Sequence, residues 1–131
     1  MRSSANVIEN RIGTDVIAAA IAVHSSLGPG LLENTYEICL AYEISKRAHR
    51  ARKQVSLSLR YGELIVENAY RVDLLVDDLV VVEIKATETI LPVHRGQVLS
   101  YLRMGGFKLG YLLNFNVAHM RDGIVRQVNG L

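Results

Sequence analysis

Tyr70-Arg71-Val72-Asp73-Leu74-Leu75-Val76-Asp77-Asp78-Leu79-Val80-Val81-Val82-Glu83-Ile84-Lys85 folds back on itself when taken as two strands joined at Asp77-Asp78-Leu79. The first strand carries Tyr70, Val72, Leu74 and Val76 on one side, with Arg71, Asp73 and Leu75 on the other. The second places Val80, Val82 and Ile84 on one side and Val81, Glu83 and Lys85 on the other. A hairpin must set its apolar rows on the same side, because a slip of one residue turns every side chain over. Pairing Val76 with Val80, Leu74 with Val82 and Val72 with Ile84 meets this condition. That register sets Asp73 across from Glu83 and Arg71 across from Lys85, so two carboxylates and a lysine converge.

Facing carboxylates repel unless a cation lies between them. Their oxygens suit a hard ion such as Mg²⁺, or Mn²⁺ in its place, which takes one or two protein carboxylates and completes its shell with water and phosphate. The backbone carbonyl of Ile84 could supply a further ligand. Lys85 then stands where it can orient or help deprotonate a water, or offset charge at a phosphate in the transition state. The pattern points to phosphodiester cleavage. The same alternation also accommodates ordinary surface charge, with Glu83 beside Lys85 or Arg71, so the stretch by itself leaves both readings open.

A chain of 131 residues with 50% hydrophobic content is expected to form one domain over residues 1–131 with a substantial core. No run of 18 apolar residues occurs, which excludes a helical membrane span. The opening Met1-Arg2-Ser3-Ser4-Ala5-Asn6 lacks the apolar stretch of a signal peptide, and a cytoplasmic location is the expectation. Cys39 is the only cysteine, so no internal disulfide can form, and its place in an apolar helical pattern marks a packed thiol. A net charge of +2 with a pI near 8.8 is weaker than that of most dedicated DNA-binding domains. Any contact with nucleic acid must then be local. The basic run Lys46-Arg47-Ala48-His49-Arg50-Ala51-Arg52-Lys53 reads as a solvated helix end, where cations favour the C-terminal side of the dipole.

Around the hairpin, the remaining elements follow from periodicity. Thr14 is expected to cap a buried helix running from Asp15 to about Ser26, with His24 satisfied near its end. Gly28-Pro29-Gly30 breaks the chain before a second helix over roughly Leu31 to Ala48, on which Glu33, Tyr36, Glu37, Leu40 and Ile44 recur at three- and four-residue steps. A strand from Gln54 to Arg60 turns at Tyr61-Gly62-Glu63. After a loop at Ala86 to Pro92, a helix from about Val93 to Met104 ends at Gly105-Gly106. Its stripe of His94, Gln97 and Tyr101 can look into the site beside Lys85, with Arg95 next to it. Lys108 to Asn114 reads as a central strand, and Asp122-Gly123 turns the chain into a last strand, Ile124 to Val128.

Gly30-Leu31-Leu32-Glu33-Asn34-Thr35-Tyr36 resembles the pattern that names the GxxExxY family, a group within the PD-(D/E)XK nuclease superfamily. The likeness continues through His24, Leu27 to Gly30, Arg71-Val72-Asp73, Glu83-Ile84-Lys85, Gln97 to Tyr101 and Gly110 to Phe115, nearly the whole chain. It implies a restriction-endonuclease-like α/β (α+β) core, a mixed sheet flanked by helices, acting on nucleic acid with Mg²⁺ or Mn²⁺. The superfamily pattern of an Asp, then Glu-x-Lys, with an acid from a preceding helix, corresponds here to Asp73, Glu83, Lys85 and Glu33. Val72 stands where the name-giving pattern has proline. Gln97-Val98-Leu99-Ser100-Tyr101 is similar to the Gln-x-x-x-Tyr motif of RecB-type nucleases. On this resemblance Asp73, Glu83, Lys85, Gln97 and Tyr101 are the expected catalytic set, and Glu33, Asp73, Glu83 and Ile84 the expected metal ligands. Tyr36, Arg71, His94 and Arg95 are expected to face substrate. An inactive nuclease-fold module for binding or assembly, a hydrolase of small phosphate esters, and pairing with a second copy all stay open.

Overall fold

The apolar runs assemble into one five-stranded mixed sheet between two helical layers, described by a computed structural model over residues 4–131, with side chains from residue 8 onward. Residues 1–3, part of the stretch read as lacking a leader, lie outside the described residues. The elements are α1 (Ser4–Leu27), α2 (Glu33–Lys46), β1 (Ala51–Tyr61), β2 (Leu64–Val76), β3 (Val80–Lys85), α3 (Pro92–Gly105), β4 (Leu109–Asn114), a 3-10 turn (Met120–Gly123) and β5 (Ile124–Val128). Strand order in the sheet follows chain order, and β3 and β4, joined through α3, form the parallel pair. The expected mixed sheet flanked by helices is what forms.

Alternation sends the two faces of the central strands into different cores. Val80, Val82, Ile84, Leu109, Tyr111 and Leu113 pack with Ile12, Val16, Ala19 and Val23 of α1 and with Tyr36, Leu40 and Ile44 of α2. Val81 and Leu112 pack on the opposite face against Val98 and Leu102 of α3. β4 is buried along its whole length, as its continuous apolar run requires. Helix α3 stops where expected: Gly106 adopts the left-handed conformation at φ 71°, and the Phe107 N–H returns to the Leu102 carbonyl at 2.9 Å.

Three sequence expectations are corrected here, the first being that of a buried α1: the helix docks by one face, with Ile8 and Ile21 exposed. Helix α1 starts at Ser4 rather than at Thr14, and the Thr14 hydroxyl donates to the Asn10 carbonyl at 3.0 Å, four residues back in its own helix. A hydroxyl satisfied in that way tolerates a helix interior, so it marks no start. The hairpin has the expected register at Leu74↔Val82, Leu75↔Val81 and Val76↔Val80, but its ladder ends there. The first strand has no single apolar side: Leu74 and Val76 join the core under α1 and α2, whereas Tyr70 and Val72 join the core under α3. Strand β1 changes sides at the same level, between Ala51 and Val55. The change falls on Gln54, whose φ is 52°, and on Asp73, the position between the pairs Lys53↔Leu74 and Val55↔Val72. A left-handed residue inside a strand re-aims the side chains that follow it, and the β1–β2 ribbon twists away from β3. Asp73 sits at that fork.

Candidate active site

Where β2 leaves β3, side chains take over the hydrogen bonding of the ladder. The Asp73 N–H donates to Glu83 Oε1 at 2.9 Å, and the Ile84 N–H donates to Asp73 Oδ2 at 2.8 Å. This reciprocal clip holds the two carboxylates next to each other. Glu83 is 5% exposed. Burial above all, and then the neighbouring charge of Asp73, push its carboxyl up to about 8, against the opposing pull of the Asp73 N–H and Lys85. Lys85, half-buried at the end of β3, therefore lies within electrostatic reach of Glu83.

Helix α3 approaches the pair from the other core. Gln97 Nε2 donates to the Tyr101 hydroxyl at 2.7 Å, across one helical turn. Tyr101 stacks on Tyr70 with centroids 4.9 Å apart, and its hydroxyl is raised first by burial and then by the charge of Glu83 and more weakly of Asp73. The expected stripe on α3 thus brings Gln97 and Tyr101 toward the carboxylates. His94 does something else: its Nδ1 accepts the Leu91 N–H at 3.0 Å, closing the first turn of its own helix. Arg95 beside it and Arg71 on β2 are exposed; Arg71 pairs with Ser56 of β1, and the β2–β3 ladder that was expected to set it across from Lys85 ends at Leu74↔Val82.

Helix α2 contributes two acids one turn apart. Glu33, exposed in the first turn, accepts the Ala86 N–H at 3.3 Å and so touches the chain immediately after Lys85. Glu37 is buried and accepts from Gln54 Nε2 at 2.5 Å; the same amide reaches Asp73 Oδ1 at 3.3 Å. Burial and then Asp73 raise the Glu37 carboxyl, while Gln54, Lys53 and Arg71 lower it. Glu37 and Gln54 were missed by the sequence reading. Glu37 had a signal, an acid inside the otherwise apolar stripe from Tyr36 to Ile44, whereas nothing in Lys53-Gln54-Val55 distinguishes the amide.

Tyr36 overturns an expectation. It is wholly buried, stacked on Phe115 at 4.6 Å, accepts the Leu31 N–H at 3.1 Å and donates to the Gly28 carbonyl at 2.6 Å. It pins the loop that leads into α2 and offers nothing to a substrate. A hydroxyl at helical spacing from an acid looks the same in sequence whether it faces a ligand or the loop before it.

Among the described residues, no group of three or more His, Cys, Asp or Glu stands ready to hold a metal ion. The donor set suits an ion that takes a pair of carboxylates and draws the rest of its shell from water and phosphate, which is the habit of Mg²⁺. Two acids crowded where burial keeps one of them from ionising also form a place that a cation relieves. Of the backbone at Ile84, it is the N–H that is engaged, by Asp73.

A family model described as the PD-(D/E)XK nuclease superfamily matches residues 10–127. The chain belongs to that superfamily. No curated protein and no solved structure matches it. PD-(D/E)XK nucleases generally use divalent metal ions and act on nucleic acid, and the mixed sheet with its helices agrees with their restriction-endonuclease-like fold. No helix among the described residues is long and apolar enough to cross a membrane.

Proposed function

We propose that this PD-(D/E)XK chain, a member of the GxxExxY group, is a metal-dependent nuclease that hydrolyses phosphodiester bonds with Mg²⁺ or Mn²⁺ held by Asp73 and Glu83. One observation carries the reading: the reciprocal clip that holds Asp73 beside a buried Glu83 whose carboxyl is pushed up to about 8. Nothing in the packing of an ordinary sheet calls for two facing acids at a fork.

The ion supplies Lewis acidity toward the phosphate and a lowered pKa for water. The chain supplies the rest. Asp73 and Glu83 fix the cation's place, with the Ile84 carbonyl and Glu33 at the margin of the same patch. Lys85 holds the attacking water through its ammonium or offsets charge gathering on the phosphate oxygens. Gln97, steadied by the Tyr101 hydroxyl, orients Lys85 or the scissile phosphate from α3. Arg71 and Arg95, both exposed, meet the phosphates on either side. His94, whose Nδ1 accepts the Leu91 N–H, offers Nε2 for the same purpose.

Asp73→Asn, Glu83→Gln and Lys85→Ala are each expected to abolish cleavage of DNA or RNA substrates while circular dichroism shows the fold intact. Retention of activity in all three would remove the assignment. The modest net charge of +2 keeps hydrolysis of small phosphate esters as the second reading. Turnover of free nucleotides without cleavage of polymers would select it.

A further inference from the structure

Inside β1, Gln54 combines a costly backbone with a bridging side chain. Five non-glycine residues among those described have positive φ, and only Gln54 (φ 52°) and Asn68 lie within strands. Asn enters the left-handed region readily, whereas a longer amide gains nothing from it and bears the strain of its Cβ. Strain of this kind persists where the side chain it aims is needed. The aim is unambiguous: Gln54 Nε2 stands between Glu37 Oε1 at 2.5 Å and Asp73 Oδ1 at 3.3 Å. Glu37 is buried on α2, so the amide is anchored at the shorter bond and reaches Asp73 with its other hydrogen. Asp73 Oδ2 is already fixed by the Ile84 N–H at 2.8 Å. Both oxygens of the proposed cation ligand are therefore oriented from outside, one by β3 and one by an amide tethered to α2.

We propose that Gln54, anchored on Glu37, is a positioning residue that sets the plane of the Asp73 carboxylate and thereby the affinity of the site for a divalent cation. The inference rests on the reading of Asp73 as a cation ligand. Partners that orient a ligand from behind cost about 10- to 100-fold in metal affinity when removed.

Mn²⁺ titration calorimetry on the full chain tests it, with thermal unfolding of each variant alongside. Gln54→Met keeps the side chain's volume and removes its donor hydrogens. It is expected to bind Mn²⁺ about 10- to 100-fold more weakly than wild type. Glu37→Leu removes the anchor and should show a similar loss, and the double variant should lose no more than the weaker-binding single one, because both act through one tether. Glu37→Gln keeps an acceptor for the amide and should restore affinity to within a few-fold of wild type. If Gln54→Met does not fold, Glu37→Leu carries the same test with β1 untouched. Wild-type affinity in a folded Gln54→Met or Glu37→Leu chain, or losses that add in full, overturns the positioning role while leaving the metal site standing. Absence of Mn²⁺ binding by folded wild type, with the same blank result for Asp73→Asn, overturns the metal site itself and this inference with it.

Discussion

Glu83 is where stability and the proposed function pull apart. A carboxyl that ionises near 4.5 when unfolded and near 8 when folded favours the protonated folded chain. Its contribution is therefore fully present below about pH 4.5 and is lost as pH rises through about 8. Between those limits the metal-free protein is expected to lose up to about 4 kcal/mol of stability from this one group, since a tenfold change in proton affinity corresponds to about 1.4 kcal/mol. Glu83→Gln never ionises, so its melting temperature at pH 8 should exceed that of wild type, while cleavage is abolished. Thermal scans of the two chains from pH 5 to pH 8.5 check this; parallel curves would mean that Glu83 is solvated in the folded state. Millimolar Mn²⁺ should narrow the gap by raising the wild-type midpoint alone, because binding to the native state stabilises it by mass action. The residue's burial could not be read from Val82-Glu83-Ile84, where an acid in an alternating strand resembles surface charge. What marked it was the partner across the hairpin, Asp73, and hence the register.

The hairpin itself was legible because the run from Val80 to Ile84 and the paired aspartates after Val76 admit one register, and Asp77 and Asp78 adopt the left-handed turn with φ of 52° and 57°. Its fork was not legible, since a side change produced by one left-handed glutamine leaves the alternation of Tyr70, Val72, Leu74 and Val76 unbroken on paper. At the other end of the hairpin a second carboxylate pair does structural work. His49, just after α2, sits between Asp15 of α1 and Asp77 of the turn, with ring nitrogens 2.6 and 2.5 Å from their oxygens. Two acceptors on one ring require both nitrogens to carry protons, so the charged imidazolium is the form that fits. Its pKa is raised chiefly by the hydrogen bond to Asp15 and, against some loss to burial, by Asp77. A raised pKa stabilises fully below the unfolded value near 6.5 and is lost as pH climbs through the higher folded value. With Asp15 45% exposed, solvent screening holds the effect to about 1 kcal/mol. His49→Leu is therefore expected to melt below wild type at pH 6 and to converge on it by pH 9. A constant difference across that range would assign His49 a packing role only.

At the level of the molecule, the sequence carried the architecture because each periodic segment names its neighbours: Leu109 to Leu113, apolar on both faces, could only be central, whereas the apolar α1 docks by one face and leaves Ile21 44% exposed. The convergence of Asp73, Glu83 and Lys85 in the candidate site was legible in outline, and the site was illegible where it depends on contacts between distant elements, as at Glu37 and Gln54. Charge is the property that spans both scales. With a net charge of only +2, the proposed engagement of nucleic acid is assigned to four cations, Lys53, Arg71 and Lys85 on the strands that meet at the fork and Arg95 on α3. Each phosphate neutralised by a cation releases counterions and adds about −0.9 to the slope of log affinity against log salt on duplex DNA. Four contacts correspond to a slope of about −3 to −4. The measurement is fluorescence anisotropy with Asp73→Asn, which holds substrate without cutting it, in Ca²⁺ buffer over a series of salt concentrations. Arg95→Ala and Arg71→Ala should each flatten the slope by about one and weaken binding evenly across sequences, as phosphate contacts do. A slope of about −8 would instead demand a second basic surface away from the fork. The Lys46 to Arg52 run, whose Arg52 is already paired with Asp78 at 2.7 Å, would then be the place to look.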